Sequence, residues 1–331
     1  AKMVVTAMKL PVSGNTSGSD WYLPYANAAV NAGIHRWTDF DSGDWNTPIT
    51  RMEMARMVVR ATDPELRKPE AEKSDGELMY LATKAGLIQG LGGGRLGENE
   101  ATTRAQSVTV IERILTVNAG GTLEVDKYAV NLAELAWHKT NIFTVMPQFF
   151  GNVQTLHDLQ GNVIAEGWDP NRMFVETPDG KYKGVLNAVV AIDLDDPNDP
   201  NRHLLGDMST LKWHNVPARQ KNPVSELKNC YVLYFDGHEV YNHDTSIYGK
   251  IDFLPFAVRG IIENTEEKKK GILSGTAPLF RNYFYDVPAV VIPKQVETRG
   301  SLFIDIYAPA IPPNKDYNKT LLWSKPDTRI Q

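Results

Sequence analysis

The chain has 331 residues, with 35 basic and 40 acidic side chains and a formal net charge of −5 at pH 7. This length is enough for two or three domains with buried cores, and the charge balance argues against a nucleic-acid partner. The single cysteine, Cys230, excludes an internal disulfide and lies in an apolar run typical of a buried thiol. No run of about 18 apolar residues occurs, so the sequence predicts no transmembrane segment.

The first third of the chain contains a repeat at an offset of 53 residues. The pairs at this offset are Gly33 with Gly86, Thr50 with Thr103, Arg51 with Arg104, and Glu53 with Gln106. Residues 1–7 also share five of seven identities with residues 55–61, which indicates the end of another copy. Internal repeats of this period are typical of stacked helical units.

Each copy carries a helix-start signal. Residues 50–53, Thr-Arg-Met-Glu, have the form of a capping box, and residues 103–106 repeat it with Gln in place of Glu. Shorter helical patterns over 21–32 and 77–85 precede the boxes, and a glycine follows each at the expected C′ position. We therefore expect two helices per copy.

These motifs resemble the S-layer homology domain, whose hallmark is a Thr-Arg-Ala-Glu box after a Gly-rich loop. The resemblance covers about residues 1–116. The first full copy carries it at 20–25 (Asp-Trp-Tyr-Leu-Pro-Tyr), 33–34 and 48–53, and the second at 85–90 and 103–106.

The resemblance implies a domain plan. We expect the terminal helix of a truncated repeat at 1–10, full repeats at 11–64 and 65–117, and a linker at 118–125. The strand and turn patterns of the rest of the chain, and not the resemblance, predict a β-rich domain with room for two subdomains at 126–331. The expected fold is multidomain: an all-α repeat domain, shaped as a partial three-pronged spindle, followed by a β-rich sandwich or irregular barrel.

The resemblance also implies a ligand, pyruvylated secondary cell-wall polysaccharide, bound non-covalently by a protein at the cell wall or S-layer surface. The candidate glycan-binding residues are Arg51, Arg104, Glu53, Gln106, Trp21, Gly90 and Gly94.

The residues themselves support two of these positions. Arg51 and Arg104 lie at the first helical position, beside backbone amides expected to be free, which suits an anion. A pyruvate carboxylate matches a guanidinium fork. The alternative is that both are solvated surface charges. The aromatic and acidic loop at 37–45 has two interpretations as well, stacking on sugar rings or filling the core between repeats.

The rest of the chain is typical of β structure, without resemblance to a family over 122–331. Residues 230–235 and 238–241 flank Asp236-Gly237, which predicts a hairpin with a two-residue turn. Another turn is expected at 178–180. Further strands are predicted at 187–193, 257–263, 289–292 and 301–307.

An acidic run at 193–201 is the candidate ion site, since calcium takes several oxygen ligands from a flexible loop. The expected ligands are Asp193, Asp195, Asp196, Asn198 and Asp199. The alternative is a solvated turn rich in Asp and Pro. No other cofactor is expected, because the seven histidines lack metal-ligand spacing and no Gly-x-Ser-x-Gly motif occurs.

Two classes of function follow. The first is a non-enzymatic structural surface protein, anchored through its repeats, whose β-rich region contributes to a homo-oligomer or lattice. The alternative is a wall-anchored extracellular enzyme or carbohydrate-binding protein, because glycosidase carboxylates leave no spacing signature in a sequence.

Overall fold

A computed structural model of the chain describes residues 1–39, 47–151, 156–157, 163–215, 219–283, 286–312 and 318–325. It divides into two compact units, Ala1–Trp137 and His138–Gln331. The division falls at the end of the helix Lys127–His138, later than the domain start at residue 126 in the sequence-based plan.

The first unit contains the longer helices of the described residues. They are α1 (Lys2–Ala7), α2 (Leu23–Asn31), α3 (Arg51–Thr62), α4 (Asp75–Lys84), α5 (Arg104–Asn118) and α6 (Lys127–His138).

Both capping boxes form. The Thr50 hydroxyl accepts from the Glu53 amide at 3.1 Å, and the Glu53 carboxylate accepts from the Thr50 amide at 2.6 Å. The second box repeats this pairing between Thr103 and Gln106, at 3.2 and 2.9 Å. Because each box satisfies two backbone donors, helices α3 and α5 begin where the sequence predicts.

The core of the first unit lies between α3, α4 and α5. Apolar side chains on one face of α3 are buried, and they pack against apolar side chains of the other two helices. These core residues are Met54, Met57, Val58 and Ala61 of α3, Leu78, Met79 and Ala82 of α4, and Val110 and Ile114 of α5.

The glycine after the first helix of each copy allows a close backbone contact. Gly33 has a φ of +70°, and a Cβ added there would lie 2.7 Å from the Arg67 carbonyl oxygen. Gly86 has a φ of +71°, and its Cβ would lie 2.7 Å from the Glu124 carbonyl oxygen. Only glycine fits both the positive φ and the contact, so each copy needs a glycine at this position.

The second unit is built from antiparallel sheets. A seven-stranded sheet has the order β3-β4-β7-β10-β9-β5-β6, and a three-stranded sheet the order β12-β11-β8. Their bounds are β3 (Phe174–Glu176), β4 (Tyr182–Asp193), β5 (Lys212–Asn215), β6 (Gln220–Pro223), β7 (Cys230–Asn242), β8 (Phe256–Ile261), β9 (Ala277–Phe280), β10 (Ala289–Pro293), β11 (Thr298–Tyr307) and β12 (Lys319–Lys325). Strands β1 (Leu156–His157) and β2 (Val163–Ala165) form a separate pair, and short helices α7 (Ile142–Val145) and α8 (Thr265–Lys269) complete the unit.

One core joins the two larger sheets. Leu233 of β7 and Ile304 of β11 are fully buried in the same apolar cluster. Phe235 of β7 stacks on Phe256 of β8 with ring centroids 3.8 Å apart and planes at 6°. The faces of the two sheets therefore meet through aromatic and branched side chains.

The predicted hairpin at Asp236-Gly237 is wrong. Residues 230–242 form the single strand β7, which pairs with β4 along its length. Asp236 lies opposite Ala188 and Gly237 opposite Leu186, with a register shift between them. The Asp-Gly pair thus lies at an irregularity within a ladder, a position where glycine also occurs.

The predicted fold class is also wrong. The described residues contain eight α-helices, but the chain is mainly antiparallel sheet, not an all-α repeat domain followed by a β domain. Within the first unit an antiparallel bridge joins Thr50 to Ala101, so that unit is not built from helices alone. In the second unit the large sheet ends at the edge strands β3 and β6 instead of closing.

The physical reason lies in backbone pairing between copies. The amides of Arg51 and Met52, in the first turn of α3, donate to the carbonyls of Glu100 and Glu98 at 2.9 and 3.0 Å. Capping motifs show where a helix starts, but they do not show that an extended segment of the next copy will pair with that start.

Candidate functional site

A pocket of about 270 Å3 lies between the start of α3, the loop after α4 and one face of α5. Its polar lining comes from Arg51, Gln89, Gln106, Thr109 and Arg113, and its apolar lining includes Met54, Ile88, Leu91 and Val110. The pocket therefore combines residues of both repeat copies.

Arg51 is buried at this pocket, with 7% of its surface exposed. Its Nε donates to the Leu96 carbonyl at 2.6 Å, and its Nη2 donates to the Gln89 carbonyl at 2.5 Å. Burial lowers the pKa of Arg51; the Glu100 charge opposes this effect, while Arg95 and Arg113 add to it. In the described residues Arg51 has no ion-pair partner within 4.0 Å, so its charge lacks a close counterion.

Arg113 brings a second guanidinium to the same pocket. Its Nη1 donates to the Leu87 carbonyl at 3.2 Å, and burial lowers its pKa. Within the described ranges it too forms no ion pair. A neutral residue, Gln106, stands where the first copy has Glu53, so this pocket gains no negative charge from the capping box. The arrangement can bind an anion, because two partly desolvated cations face one space without a carboxylate.

Comparison of the chain with protein-family models, with curated proteins and with solved structures found no match. The function of the chain is therefore inferred from the geometry of the site.

The structure brings together three of the predicted glycan-binding residues, Arg51, Gly90 and Gln106, in this pocket. The backbone amide of Arg51 is not free, since it donates to Glu100. The expected helix-terminus anion site is therefore absent at α3, and the guanidinium is the group that remains available.

The other four predicted residues lie outside the lining of this pocket. Arg104 is exposed at the start of α5, and Glu53 is held in the capping box of α3. Trp21 is 40% exposed, and the Lys2 Nζ lies 5.6 Å from its ring centroid. Gly94 allows a close approach, because a Cβ there would lie 2.5 Å from the Tyr128 carbonyl carbon.

Part of the aromatic loop, residues 40–46, lies outside the described residues, so its two interpretations both stay open.

Sequence reasoning missed Arg113 and Gln89. A signal was present, because Arg60 and Arg113 fall at the same 53-residue offset as the capping boxes. The capping-box motif covers only the first turn of each helix, whereas Arg113 lies more than two turns further along α5.

The acidic loop after β4 is already bonded within the protein. The Lys294 Nζ lies 2.7 Å from Asp193 Oδ1 and 2.9 Å from Asp195 Oδ2. Asp199 accepts from the Asp193 amide at 2.9 Å, and Asp196 accepts from the Asn198 amide at 3.0 Å. No group of three or more candidate ligands is positioned for a metal ion in the described part of the chain. Calcium binding stays a prediction that this geometry does not support.

One pocket of the second unit, of about 500 Å3, has four glutamates in its lining: Glu263, Glu266, Glu267 and Glu297. Glu263 and Glu266 form ion pairs with Lys268 and Lys269 at 2.6 and 2.8 Å. Glu267 and Glu297 form no ion pair among the described residues, so two of the four carboxylates are neutralised within the chain and two are not. No helix among the described residues is both long and apolar enough to cross a membrane.

Proposed function

We propose that the first unit binds an anionic cell-wall glycan, and that this binding anchors the chain non-covalently at the cell surface. The ligand that fits the repeats best is a secondary cell-wall polysaccharide carrying pyruvate ketals. The observation that carries the proposal is the pocket with two guanidiniums, Arg51 and Arg113, and no carboxylate paired to either in the described residues.

The chemistry of the pocket suits such a sugar. A guanidinium presents several donors in one plane, which matches the two oxygens of a carboxylate. The side chains of Met54, Ile88 and Val110 add an apolar wall. A pyruvate ketal combines a carboxylate with a methyl group, so it would place polar and apolar parts against matching surfaces.

The burial of the two guanidiniums should increase the electrostatic part of the binding free energy of an anionic ligand. A guanidinium without a counterion loses hydration on burial and recovers little from backbone carbonyls. A ligand carboxylate would complete the pair, and a charge-assisted hydrogen bond contributes about 1.5–3 kcal/mol. This magnitude is enough to distinguish a charged sugar from its neutral form.

Calorimetry with pyruvylated and chemically depyruvylated polymer tests the proposal. We expect binding of the pyruvylated form only, and a loss of about 10- to 100-fold in affinity for Arg51→Gln. Arg104→Gln is the matched control, since Arg104 holds the same motif position but is exposed outside the pocket. Equal affinity for the two polymers would exclude the proposal.

We further propose that the second unit is a non-enzymatic module that contributes to a homo-oligomeric surface assembly. Its support is that two of the four carboxylates of the Glu-lined pocket, Glu263 and Glu266, are held in ion pairs with lysines. Cell fractionation, followed by release of the protein from walls with free pyruvylated polymer, tests the location. Electron microscopy of the released protein tests the assembly, and a dispersed monomer at high concentration would argue against it.

A further inference from the structure

The two repeat copies differ at one position that bears on the pocket. Asp39 of the first copy corresponds, at the 53-residue offset, to Gly92 of the second. The Asp39 carboxylate is buried, and its Oδ2 accepts from the Arg36 amide at 2.7 Å and from Arg60 Nη1 at 2.6 Å. The His35 Nδ1 lies 3.2 Å from the same oxygen. The first copy therefore contains an occupied carboxylate site.

The second copy has the corresponding donors but lacks the carboxylate. Arg36 corresponds to Gln89 and Arg60 to Arg113, and both equivalents line the pocket described above. Gly92 has no side chain, and a Cβ placed there would meet nothing within 4 Å. In the described residues the backbone amide of Gln89 donates to no acceptor, whereas its side-chain Nε2 donates to the Glu124 carbonyl at 3.5 Å. Arg113 has no ion-pair partner among these residues.

We propose that a ligand carboxylate binds to the Gln89 amide and the Arg113 guanidinium, in the place that Asp39 fills in the first copy. The first copy is closed to ligands by its own Asp39. The identity of the ligand rests on the proposed function, whereas the assignment of the carboxylate position rests on the comparison of the two copies.

This assignment gives the two pocket arginines different roles. Two donors of Arg51 are used on the carbonyls of Gln89 and Leu96, so Arg51 is a positioning residue that fixes the loop carrying the Gln89 amide. Arg113 uses one donor on Leu87 and is the residue that contacts the ligand.

The third donor of the first copy is also replaced. His35 corresponds to Ile88, which is buried and lines the pocket. A carboxylate bound beside Ile88 would meet an apolar side chain where Asp39 meets an imidazole. The site therefore favours a carboxylate on a carbon that carries an apolar group, as in a pyruvate ketal.

The probe for the first test is the methyl glycoside of a hexose with a 4,6-pyruvate ketal, compared with its methyl ester. We expect the free acid to shift the backbone NMR resonance of Gln89 and to leave that of Arg36 in place. The ester, which carries no charge, should shift neither. Arg113→Gln should weaken binding of the acid by about 10- to 100-fold.

A second test adds a charge beside the pocket, because Gly92 follows the lining residue Leu91 and aligns with Asp39 at the 53-residue offset. Gly92→Asp brings a negative charge near a ligand carboxylate and should lower the affinity for the glycoside at least 10-fold, whereas Gly92→Asn should retain most of it. The two variants are matched, because both residues must adopt the same φ of +95° and differ only in charge. Conversely, Asp39→Gly should open the first copy and raise the stoichiometry from one glycoside to two. If Asp39→Gly does not fold, the Gly92 pair decides.

The outcomes separate this inference from the proposed function. If the wild type binds pyruvylated polymer but Arg113→Gln and Gly92→Asp bind it equally well, the carboxylate position is wrong and the proposed function stands. If the glycoside binds through Arg113 but the polymer does not bind, only the choice of polymer is wrong. Binding of neither ligand by the wild type would overturn both.

Discussion

Acid should weaken the first repeat copy through one buried carboxylate, Asp39. Burial by itself would raise the pKa of Asp39, but hydrogen bonds from His35, Arg60 and the Arg36 amide outweigh that effect and hold the pKa at about 2. Because the pKa is lowered by folding, the stabilisation is present above the ordinary value of 3.8 and is lost as the pH falls toward 2.

The magnitude follows from that difference in pKa. A change from 3.8 to about 2 corresponds to about 2 kcal/mol of folding free energy between neutral pH and pH 2. Asp39→Asn removes the charge at all pH values and leaves Arg60, which is 5% exposed, without its ion-pair partner. We expect this variant to lose about 3–5 kcal/mol at neutral pH.

Hydrogen exchange of the α3 amides measures this effect locally, since Arg60 lies near the end of that helix. Protection in the wild type should fall between pH 4 and pH 2 by the equivalent of about 2 kcal/mol, and the variant should show no comparable fall. Asp20→Asn, an exposed carboxylate, is the control. A wild type whose protection is constant over this range, or a variant that follows the same curve, would refute the assignment.

Three further changes have defined outcomes. Thr50→Ala removes the hydroxyl that caps α3 and should cost about 1 kcal/mol in denaturant unfolding, with weaker glycan binding through displaced Arg51; unchanged unfolding would contradict the capping box. Gly86→Ala brings a Cβ to 2.7 Å from the Glu124 carbonyl oxygen at a φ of +71° and should lower the free energy of unfolding by about 1–3 kcal/mol. Gly92→Ala, which has open space around its Cβ, should lower it less. Equal losses of stability in the two variants would show that the contact with Glu124 does not matter. If the acidic loop binds calcium, the melting temperature should be higher with calcium than with chelator, and this difference should be larger in Lys294→Ala, which frees two carboxylates, than in the wild type. Identical melting curves with calcium and with chelator in both proteins would contradict the calcium prediction.

Local features of the fold could be predicted because they depend on neighbours in sequence. The capping boxes at Thr50 and Thr103, and the left-handed glycines Gly33 and Gly86, lie where the patterns predict them. These features depend on hydrogen bonds and backbone angles within four or five residues, so distant tertiary contacts change them little.

Features that depend on distant partners could not be predicted in the same way. Asp236-Gly237 is a strong hairpin signal in isolation, but the two residues lie in β7, whose eleven paired positions with β4 outweigh one local turn preference. Likewise, nothing near Arg51 in the sequence indicates that its amide pairs with Glu100. Such pairings form through contacts between residues about 50 positions apart.

One residue of the candidate site could be predicted from a local motif, and two that depend on distant partners could not. Arg51 belongs to a recognisable motif, whereas Gln89 and Arg113 contribute through one backbone amide and one side chain in separate elements. Their proposed role follows from aligning the two copies at the 53-residue offset, because the contacts of Asp39 show which donors a carboxylate uses in the first copy.

The pairing of the α3 start with the segment at Glu98 and Glu100 has a consequence for how the repeats fold. Backbone amides in the first turn of α3, in one copy, donate to backbone carbonyls of the next copy, so neither copy can satisfy all of its backbone hydrogen bonds by itself. Separating the chain between Thr62 and Asp75 would expose unpaired amides on one fragment and unpaired carbonyls on the other. We therefore expect the two copies to unfold in a single cooperative step, with the pocket lost as soon as either copy opens.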